Sequence, residues 1–321
     1  MIELTIYEVG ILAAGALVAG IYLLILGGNL TIDAAVAIAS RANLSPVFIG
    51  ATIVAFGTSL PELFTSVNAN LQGFPGISLG NIVGSNIANI LLVMGACALV
   101  CTLAIKKTLL ARDLYLMLAS TVILVVGMQY GMFERWMGIA MCALLIAYVA
   151  WQFFNDQIGT SDVGGEGEPL PISKTLFSLV GGFGGLILGS EMLVRGAVVT
   201  GGILGVPEAI IGLTAVAVGT SLPELTASIA AALKRETDIL FGNIIGSNTF
   251  NILWIVGVTS TVSPLGVDSS LMGLQLIVLV LVSVVFAGLI FLNKAFTRTT
   301  GFAFLGTYLV FTLYQFRGTV L

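Results

Sequence analysis

The chain contains no histidine, and only 9% of its 321 residues are charged. The absence of histidine removes the commonest transition-metal ligand and the usual proton switch near neutral pH. A soluble domain carries about 25% charged residues, whereas this chain is 58% hydrophobic. We therefore predict an integral membrane protein.

Cysteine is also scarce. The three cysteines, Cys97, Cys101 and Cys142, all fall in apolar segments. Two thiols four residues apart are a weak metal signal, so we interpret them as small packing residues. No lysine or arginine precedes the first apolar run, and we therefore do not expect a cleavable signal peptide there.

Long apolar runs make up most of the sequence. A membrane-spanning helix takes roughly 20 apolar residues, and ten segments qualify, at about 8–28, 46–71, 77–101, 113–130, 135–154, 175–199, 207–233, 239–262, 270–292 and 300–317. With ten spans, nine lysines and arginines fall on one side of the membrane and three on the other. This asymmetry predicts a cytoplasmic 155–174 loop, with both termini outside an inner or plasma membrane.

The 155–174 segment is the only extended polar linker. It divides the chain into residues 1–154 and 175–321, each with five predicted spans. Because five is odd, the second half enters the membrane upside down relative to the first. The predicted fold class is an all-α polytopic membrane protein with ten transmembrane helices arranged as two inverted five-helix repeats.

Residues 50–95 and 212–257 are two copies of one segment, at a constant offset of 162 residues. Of the 46 aligned positions, 25 are identical. Both copies contain Gly-Thr-Ser-Leu-Pro-Glu-Leu, followed by Gly-Asn and Gly-Ser-Asn. Each copy thus puts a glutamate, Glu62 or Glu224, inside an apolar run where a charge is costly. Intramembrane charges of this kind mark ion pathways, and the duplication suggests one site built by both halves.

The proline in each copy predicts backbone carbonyl oxygens that are free to bind an ion. A helical proline lacks an N–H and clashes with the carbonyl four residues earlier, so Pro61 frees the carbonyl of Gly57 and Pro223 that of Gly219. At membrane depth such breaks are tolerated where they line a cavity or bind an ion. The oxygens nearby come from carboxylates, hydroxyls and carbonyls, a set that suits sodium, calcium or magnesium.

A polar stripe follows each break. Asn81, Ser85 and Asn89 are spaced four residues apart on an apolar helix, and the second copy repeats them as Asn243, Ser247 and Asn251. With the copies face to face, Glu62 and Glu224 meet, and two buried carboxylates need a counter-charge. One divalent cation or several monovalent cations would supply it.

Polar residues in membrane helices sometimes only join helices through hydrogen bonds. That interpretation stays open for Asn86 and Asn248. It is weak for the two glutamates, because neither repeat supplies a basic partner nearby. Glu191 and Arg195, four residues apart, are instead expected to pair with each other near a membrane surface.

The paired G-T-S-x-P-E and G-N-x-x-G-S-N blocks resemble the α-repeats of sodium/calcium exchangers of the calcium/cation antiporter superfamily, and the layout is similar to that of compact prokaryotic members. The resemblance implies alternating access, with the first and sixth spans moving against an eight-helix core. It also implies twelve ion ligands: Ala55 and Thr58 (backbone carbonyls), Ser59, Glu62, Ser85, Asn89, Ala217, Thr220, Ser221, Glu224, Ser247 and Asn251.

The resemblance assigns calcium to the two glutamates and the threonine carbonyls, with sodium in flanking sites. Several family members carry aspartate where this chain has Asn251. The number of sodium ions exchanged, any potassium dependence and the strength of proton competition therefore stay open.

The expected function is sodium-driven calcium export, in which one Ca²⁺ competes with several Na⁺ around Glu62 and Glu224. The alternatives are proton/calcium exchange, a calcium-selective channel and, more remotely, an intramembrane protease. We expect no enzymatic activity and no cofactor. The expected partners are Ca²⁺, Na⁺ and the lipid bilayer, with no nucleic acid, and the chain is expected to work as a monomer.

Overall fold

The computed structural model describes residues 6–42, 44–104, 107–155, 171–203, 217–267 and 273–316. In these ranges the chain is almost entirely helical. The first half contains α1 (Ile6–Ala42), α2 (Pro46–Thr58), α3 (Leu60–Leu71), α4 (Pro75–Val100), α5 (Lys107–Gln129) and α6 (Arg135–Asn155).

The second half contains α7 (Ile172–Ile203), α8 (Ala217–Thr220), α9 (Leu222–Leu233), α10 (Thr237–Val262), α11 (Leu274–Phe291) and α12 (Arg298–Phe316). Two short strands, β1 (Met132–Phe133) and β2 (Leu265–Gly266), pair antiparallel and join the halves. A second bridge between the halves joins Leu103 to Phe296.

Seven helices in the described ranges are long and apolar enough to cross a membrane, and α2 with α3 makes an eighth as a pair bent by 46°. The chain is therefore a multi-pass membrane protein. The other two predicted spans are 207–233, of which only 217–233 is described, and 300–317, where α12 lies. The count of ten spans stays a prediction.

The predicted segment limits need two corrections. The first span, placed at 8–28, is part of a much longer helix, α1, because no proline interrupts the chain before Pro46. The linker predicted at 155–174 is shorter, since α6 includes Asn155 and α7 begins at Ile172. Residues 156–170 lie outside the described residues.

The backbone repeats with the same offset of 162 residues as the sequence. Helices α3 and α9 correspond residue for residue, and so do Pro75–Ala88 and Thr237–Phe250. The positive φ angles recur as well: Gly73 (84°) corresponds to Arg235 (61°), and Gly131 (77°) to Asn293 (50°). The second pair lies beyond the aligned segments, so the structural repeat extends further than the sequence identity.

Helices α1 and α7 pack against each other more extensively than either packs against the rest of the chain. Glycines permit this close approach: a Cβ atom on Gly27 would lie 2.7 Å from the carbonyl oxygen of Gly182, and one on Gly189 would lie 2.8 Å from that of Gly20. The sequence pattern Gly181, Gly185, Gly189 predicts a contact stripe. Gly185 and Gly189 do contact α1, whereas Gly181 faces open space and Gly182 makes the contact in its place.

One ion pair ties α1 to the turn after α9. Lys234 Nζ donates to Asp33 Oδ1 at 2.6 Å and to the carbonyl oxygen of Asn29 at 3.2 Å. On α7, the predicted pair of Glu191 and Arg195 forms, and both side chains are exposed.

Helix α10 lies at the centre of the molecule, and nearly all of its residues are buried. It crosses α2 at glycines on both helices. A Cβ atom on Gly50 would lie 2.4 Å from the carbonyl oxygen of Ile239, and one on Gly246 would lie 2.5 Å from that of Ala51. This crossing brings the polar stripe of the second repeat against the broken helix of the first.

Candidate cation-binding site

The two repeats break their helices at matching serines. Ser59 has φ −86° and ψ 7°, and Ser221 has φ −87° and ψ 5°. Around the first break, the N–H of Ser59 donates to the carbonyl of Ala55 (3.0 Å), and the N–H of Leu63 donates to that of Ser59 (3.1 Å). Pro61 has no N–H to give to the carbonyl of Gly57. The break that the sequence predicts is thus present in both copies.

Glu62 and Glu224 lie in the first turns of α3 and α9, next to these breaks. Their exposed fractions are 0% and 1%, and the two carboxylates lie close enough to interact electrostatically. Within the described residues neither pairs with a lysine or arginine, since the ion pairs there join other residues. Two buried carboxylates without a basic partner require cations or protons.

Each glutamate meets the Thr-Ser pair of the opposite repeat. Ser59 Oγ donates to Glu224 Oε1 at 2.9 Å, and Thr58 lies beside the same carboxylate. Thr220 and Ser221 lie beside the Glu62 carboxylate but do not complete a hydrogen bond to it. Side chains of both repeats therefore line the candidate site.

Two asparagines cross-link the repeats. Thr220 Oγ1 donates to Asn81 Oδ1 at 3.3 Å, and Asn81 Nδ2 donates to Ser66 Oγ at 3.1 Å and to the carbonyl oxygen of Glu62 at 3.4 Å. The counterpart, Asn243, makes the equivalent hydroxyl contacts, accepting from Thr58 Oγ1 at 3.4 Å and donating to Ser228 Oγ at 3.0 Å. Each amide thus joins its own repeat to the broken helix of the other.

The rest of the polar stripe follows on α4 and α10, and the segments that begin at Asn89 and Asn251 pack against α9 and α3. Ser221 Oγ lies 3.5 Å from Ser85 Oγ, and Ser247 Oγ lies 3.5 Å from Asn243 Oδ1. Asn89 and Asn251 are at most 1% exposed. Both begin π-helical segments, Asn89–Val93 and Asn251–Val256, a local widening that is frequent at functional sites.

Several buried polar atoms here have no hydrogen-bond partner in the described part of the chain. They are both carboxylate oxygens of Glu62, Oε2 of Glu224, and the side-chain oxygens and nitrogens of Asn89 and Asn251. Buried polar groups are normally satisfied. A cluster of orphaned oxygens is the donor set that a hard cation such as Na⁺ or Ca²⁺ prefers.

Most of the predicted ligand residues meet here. Thr58, Ser59, Ser85, Thr220 and Ser221 make the cross-repeat contacts given above. Ser247 contacts Asn243 within its own repeat, and Ala55 lies one turn before the first break. Ala217 begins the described part of α8, but its side-chain surroundings lie outside the described residues. Clusters of three or more His, Cys, Asp or Glu do not occur in the described ranges, so the acidity rests on two glutamates.

The sequence motifs do not identify Ser66 and Ser228 as the hydrogen-bond acceptors of Asn81 and Asn243. Their repetition at equivalent positions is the signal that could have indicated this role. Asn86 and Asn248 each donate from Nδ2 to the carbonyl four residues earlier, at 2.9 and 2.7 Å, and their Oδ1 atoms have no partner in the described ranges. The helix-joining interpretation that the sequence left open for these two asparagines finds no support in these bonds, which stay within their own helices.

Comparison with known proteins agrees with this geometry. Residues 12–154 and 174–317 match the family described as "Sodium/calcium exchanger protein". The chain belongs to this family. The sodium/calcium exchanger family match covers both halves and leaves out the predicted linker.

Individual relatives align over most of the chain. The putative antiporter CaxA of Alkalimonas amylolytica is 36% identical over 79% of this chain and 82% of its own. The uncharacterized membrane protein MJ0091 of Methanocaldococcus jannaschii is 34% identical over 94% of this chain and 97% of its own.

A solved structure of the sodium-calcium exchanger NCX_Mj, from crystals soaked with Na⁺ and Ca²⁺, superposes with a TM-score of 0.81. It is 32% identical and covers 94% of this chain and 97% of its own. The chain is therefore a membrane transporter of the sodium/calcium antiporter type, as the sequence motifs predict.

Proposed function

We propose that this exchanger moves one Ca²⁺ against several Na⁺ through a single site centred on Glu62 and Glu224. The observation that carries the proposal is the meeting of these two buried carboxylates without a basic partner in the described residues. Their combined charge of −2 is neutralised equally well by one divalent ion or by two monovalent ions. Calcium and sodium therefore exclude each other, which is the requirement for exchange.

The proposed calcium shell consists of both glutamates and the backbone carbonyls of Thr58 and Thr220. Calcium takes 6–8 oxygen ligands, and two bidentate carboxylates, two carbonyls and water meet that number. The orphaned oxygens of Glu62 and Glu224 support this assignment, because they have no protein donor to satisfy them in the described residues.

The flanking positions are proposed to hold sodium. They comprise the backbone carbonyls of Ala55 and Ala217 with the side-chain oxygens of Ser59, Ser85, Asn89, Ser221, Ser247 and Asn251. The support is the burial of the described side chains and the lack of hydrogen-bond partners for both asparagine amides in the described ranges. Neutral oxygens suit a monovalent ion that shares a glutamate charge.

Alternating access would be achieved by the α1–α7 pair sliding against the remaining helices. Two observations support this proposal. Helices α1 and α7 pack against each other more extensively than against the core. Where α1 meets α9 it presents a glycine, Gly28, on which a Cβ atom would lie 3.1 Å from the side chain of Thr226. Phe183 of α7 packs against Gly57 at the first break, where a Cβ atom would lie 2.0 Å from its ring, so movement of α7 uncovers the site.

An inverted arrangement of the repeats is proposed on similar grounds. Leu103 and Leu265 are equivalent positions, and each pairs with a residue of the other half, Phe296 and Phe133 respectively. Such reciprocal pairing is what a two-fold axis between the halves produces. The proposed topology keeps both termini outside an inner or plasma membrane, because nine of the twelve basic residues then face the cytoplasm.

The test is sodium-gradient-driven ⁴⁵Ca²⁺ flux in proteoliposomes, with magnesium and manganese as competitors. Calcium uptake that follows the sodium gradient supports the proposal. Uptake driven by a pH gradient without sodium would assign the protein to proton/calcium exchange instead. Single-channel currents in planar bilayers would replace the carrier mechanism with a channel.

A further inference from the structure

The hydroxyl of Thr58 has two acceptors within 3.5 Å, and the Glu224 carboxylate also lies beside this threonine. Its Oγ1 atom is 3.3 Å from the carbonyl oxygen of Ala55 and 3.4 Å from Oδ1 of Asn243. A hydroxyl has a single hydrogen to donate, so the two bonds are alternatives. Ala55 belongs to the same helix as Thr58, whereas Asn243 belongs to α10 in the other repeat.

Which acceptor the Thr58 hydroxyl uses matters, because the carbonyl oxygen of Ala55 can accept only a limited number of contacts. A backbone carbonyl has two lone pairs, and the N–H of Ser59 already occupies one, at 3.0 Å. If the Thr58 hydroxyl donates to Ala55, both lone pairs are in use. If it donates to Asn243, one lone pair remains available for a cation.

The amide of Asn243 is held in the orientation that attracts the hydroxyl. Its Nδ2 atom donates to Ser228 Oγ at 3.0 Å, which turns Oδ1 toward Thr58. Asn243 is 1% exposed, so bulk water does not compete strongly for this oxygen. Ser247 Oγ, at 3.5 Å, is the other hydroxyl near Oδ1.

We infer that Asn243 is a positioning residue for sodium: its Oδ1 draws the Thr58 hydroxyl off the carbonyl of Ala55 and leaves that carbonyl free to coordinate Na⁺. The inference rests on the proposed function, in which Ala55 is a sodium ligand. Calcium is proposed to bind the glutamates and threonine carbonyls, so the effect falls on sodium and spares calcium.

The first measurement uses Asn243→Leu, which keeps the side-chain size but removes the acceptor. The full-length exchanger is reconstituted in proteoliposomes, and two quantities are measured: the sodium concentration that gives half-maximal ⁴⁵Ca²⁺ release, and the KM for calcium in calcium/calcium exchange. The half-maximal sodium concentration is expected to rise about fivefold, the value of one hydrogen bond. The KM for calcium is expected to stay unchanged.

A second substitution distinguishes a positioning role of Asn243 from structural damage caused by its replacement. Thr58→Val has no hydroxyl, so it leaves the Ala55 carbonyl uncovered whether or not Asn243 is present. Adding Thr58→Val to Asn243→Leu is expected to restore the half-maximal sodium concentration to within twofold of the wild-type value (a twofold change is about 0.4 kcal/mol). Thr58→Ser keeps the hydroxyl and is expected to restore nothing.

Asn81→Leu is the matched control. It removes the equivalent amide from the first repeat, which contacts Thr220 rather than Thr58, so Thr58→Val is not expected to suppress its effect. An unchanged sodium dependence in Asn243→Leu would overturn the inference. So would a rise that Thr58→Val fails to reverse, or a parallel rise in the KM for calcium.

If Asn243→Leu does not fold, Thr58→Val alone provides the test. It is expected to lower the half-maximal sodium concentration, and an increase or no change would refute the inference. Failure of the proposed function shows elsewhere, as calcium exchange that survives Glu62→Gln, so the two failures are distinguishable.

Discussion

The hydroxyl of Ser59 donates to Oε1 of Glu224 at 2.9 Å, across the boundary between the two repeats. Ser59 marks the helix break of the first repeat, and Glu224 follows the break of the second. In the proposed site, therefore, neither half holds a complete ligand set by itself. Changes in one repeat should therefore alter ion binding at the other.

Neutralising either glutamate should abolish calcium transport. Glu62→Gln and Glu224→Gln keep the side-chain shape but remove half of the negative charge that balances Ca²⁺. Losing one partner of a buried charge interaction costs about 3–5 kcal/mol, or more than about 100-fold in affinity. Calcium flux in proteoliposomes measures the effect. Glu191→Gln, on the exposed part of α7, is the control and should transport normally; near wild-type flux in either site variant would disprove the site.

Removing the Ser59 hydroxyl should weaken calcium binding without eliminating exchange. Ser59→Ala takes from the Glu224 carboxylate the hydrogen bond at 2.9 Å that holds its orientation, and a hydrogen bond to a charged group is worth about 1.5–3 kcal/mol. The expected result is a rise of about tenfold or more in the KM for calcium. Ser221→Ala, which lies at the matching position but does not hydrogen-bond Glu62, should raise it less. Equal effects would contradict the geometry.

A third acid in the site should make transport more sensitive to protons. Asn251 is buried, and both polar atoms of its side chain have no partner in the described residues. Asn251→Asp places another carboxylate near Glu62 and Glu224, and crowded carboxylates take up protons more readily. Calcium flux measured against pH should then fall off at higher pH than in the wild type. Asn68→Asp, at an exposed position, should leave the profile unchanged, and an unaltered profile in Asn251→Asp would remove Asn251 from the site.

Two glycines at equivalent repeat positions should respond differently to alanine. A Cβ atom on Gly246 would lie 2.5 Å from the carbonyl oxygen of Ala51, whereas one on Gly84 meets open space. Overpacking of this kind costs about 1–3 kcal/mol. Thermal unfolding in detergent should therefore show a lower Tm for Gly246→Ala and little change for Gly84→Ala. The same Tm for both variants would mean that α2 and α10 do not cross so closely.

The duplicated break could be predicted from sequence because its cause is local. Proline removes an N–H wherever it stands, so Pro61 and Pro223 fix both breaks, and the constant offset identifies Glu62 and Glu224 as equivalent residues. The family match and the NCX_Mj superposition confirm the family that these motifs indicate. The inverted orientation of the repeats and the ligand set remain proposals.

Other features depend on how the helices cross, and sequence alone does not contain that information. Gly84 and Gly246 occupy the same motif position, yet only Gly246 lies at a helix crossing. Asn81 and Asn243 fit the predicted polar stripe, but their hydrogen bonds to the opposite repeat require the observed packing. The π-helical segments at Asn89 and Asn251 consist of apolar residues after the asparagine, so they contain no polar–apolar periodicity from which an extra residue in the turn could be recognised.

The ion pair between Asp33 and Lys234 has no counterpart in the other half. The equivalent positions are Arg195, which pairs within its own helix, and Gln72, which donates to Asn68. If the α1–α7 pair alternates between two positions as proposed, an ion pair present at one end alone stabilises one position more than the other. A partly exposed pair contributes up to about 1 kcal/mol, enough for roughly a fivefold bias. Sequence divergence at two surface positions can thus make one of the two access states of a nearly symmetrical transporter more populated than the other.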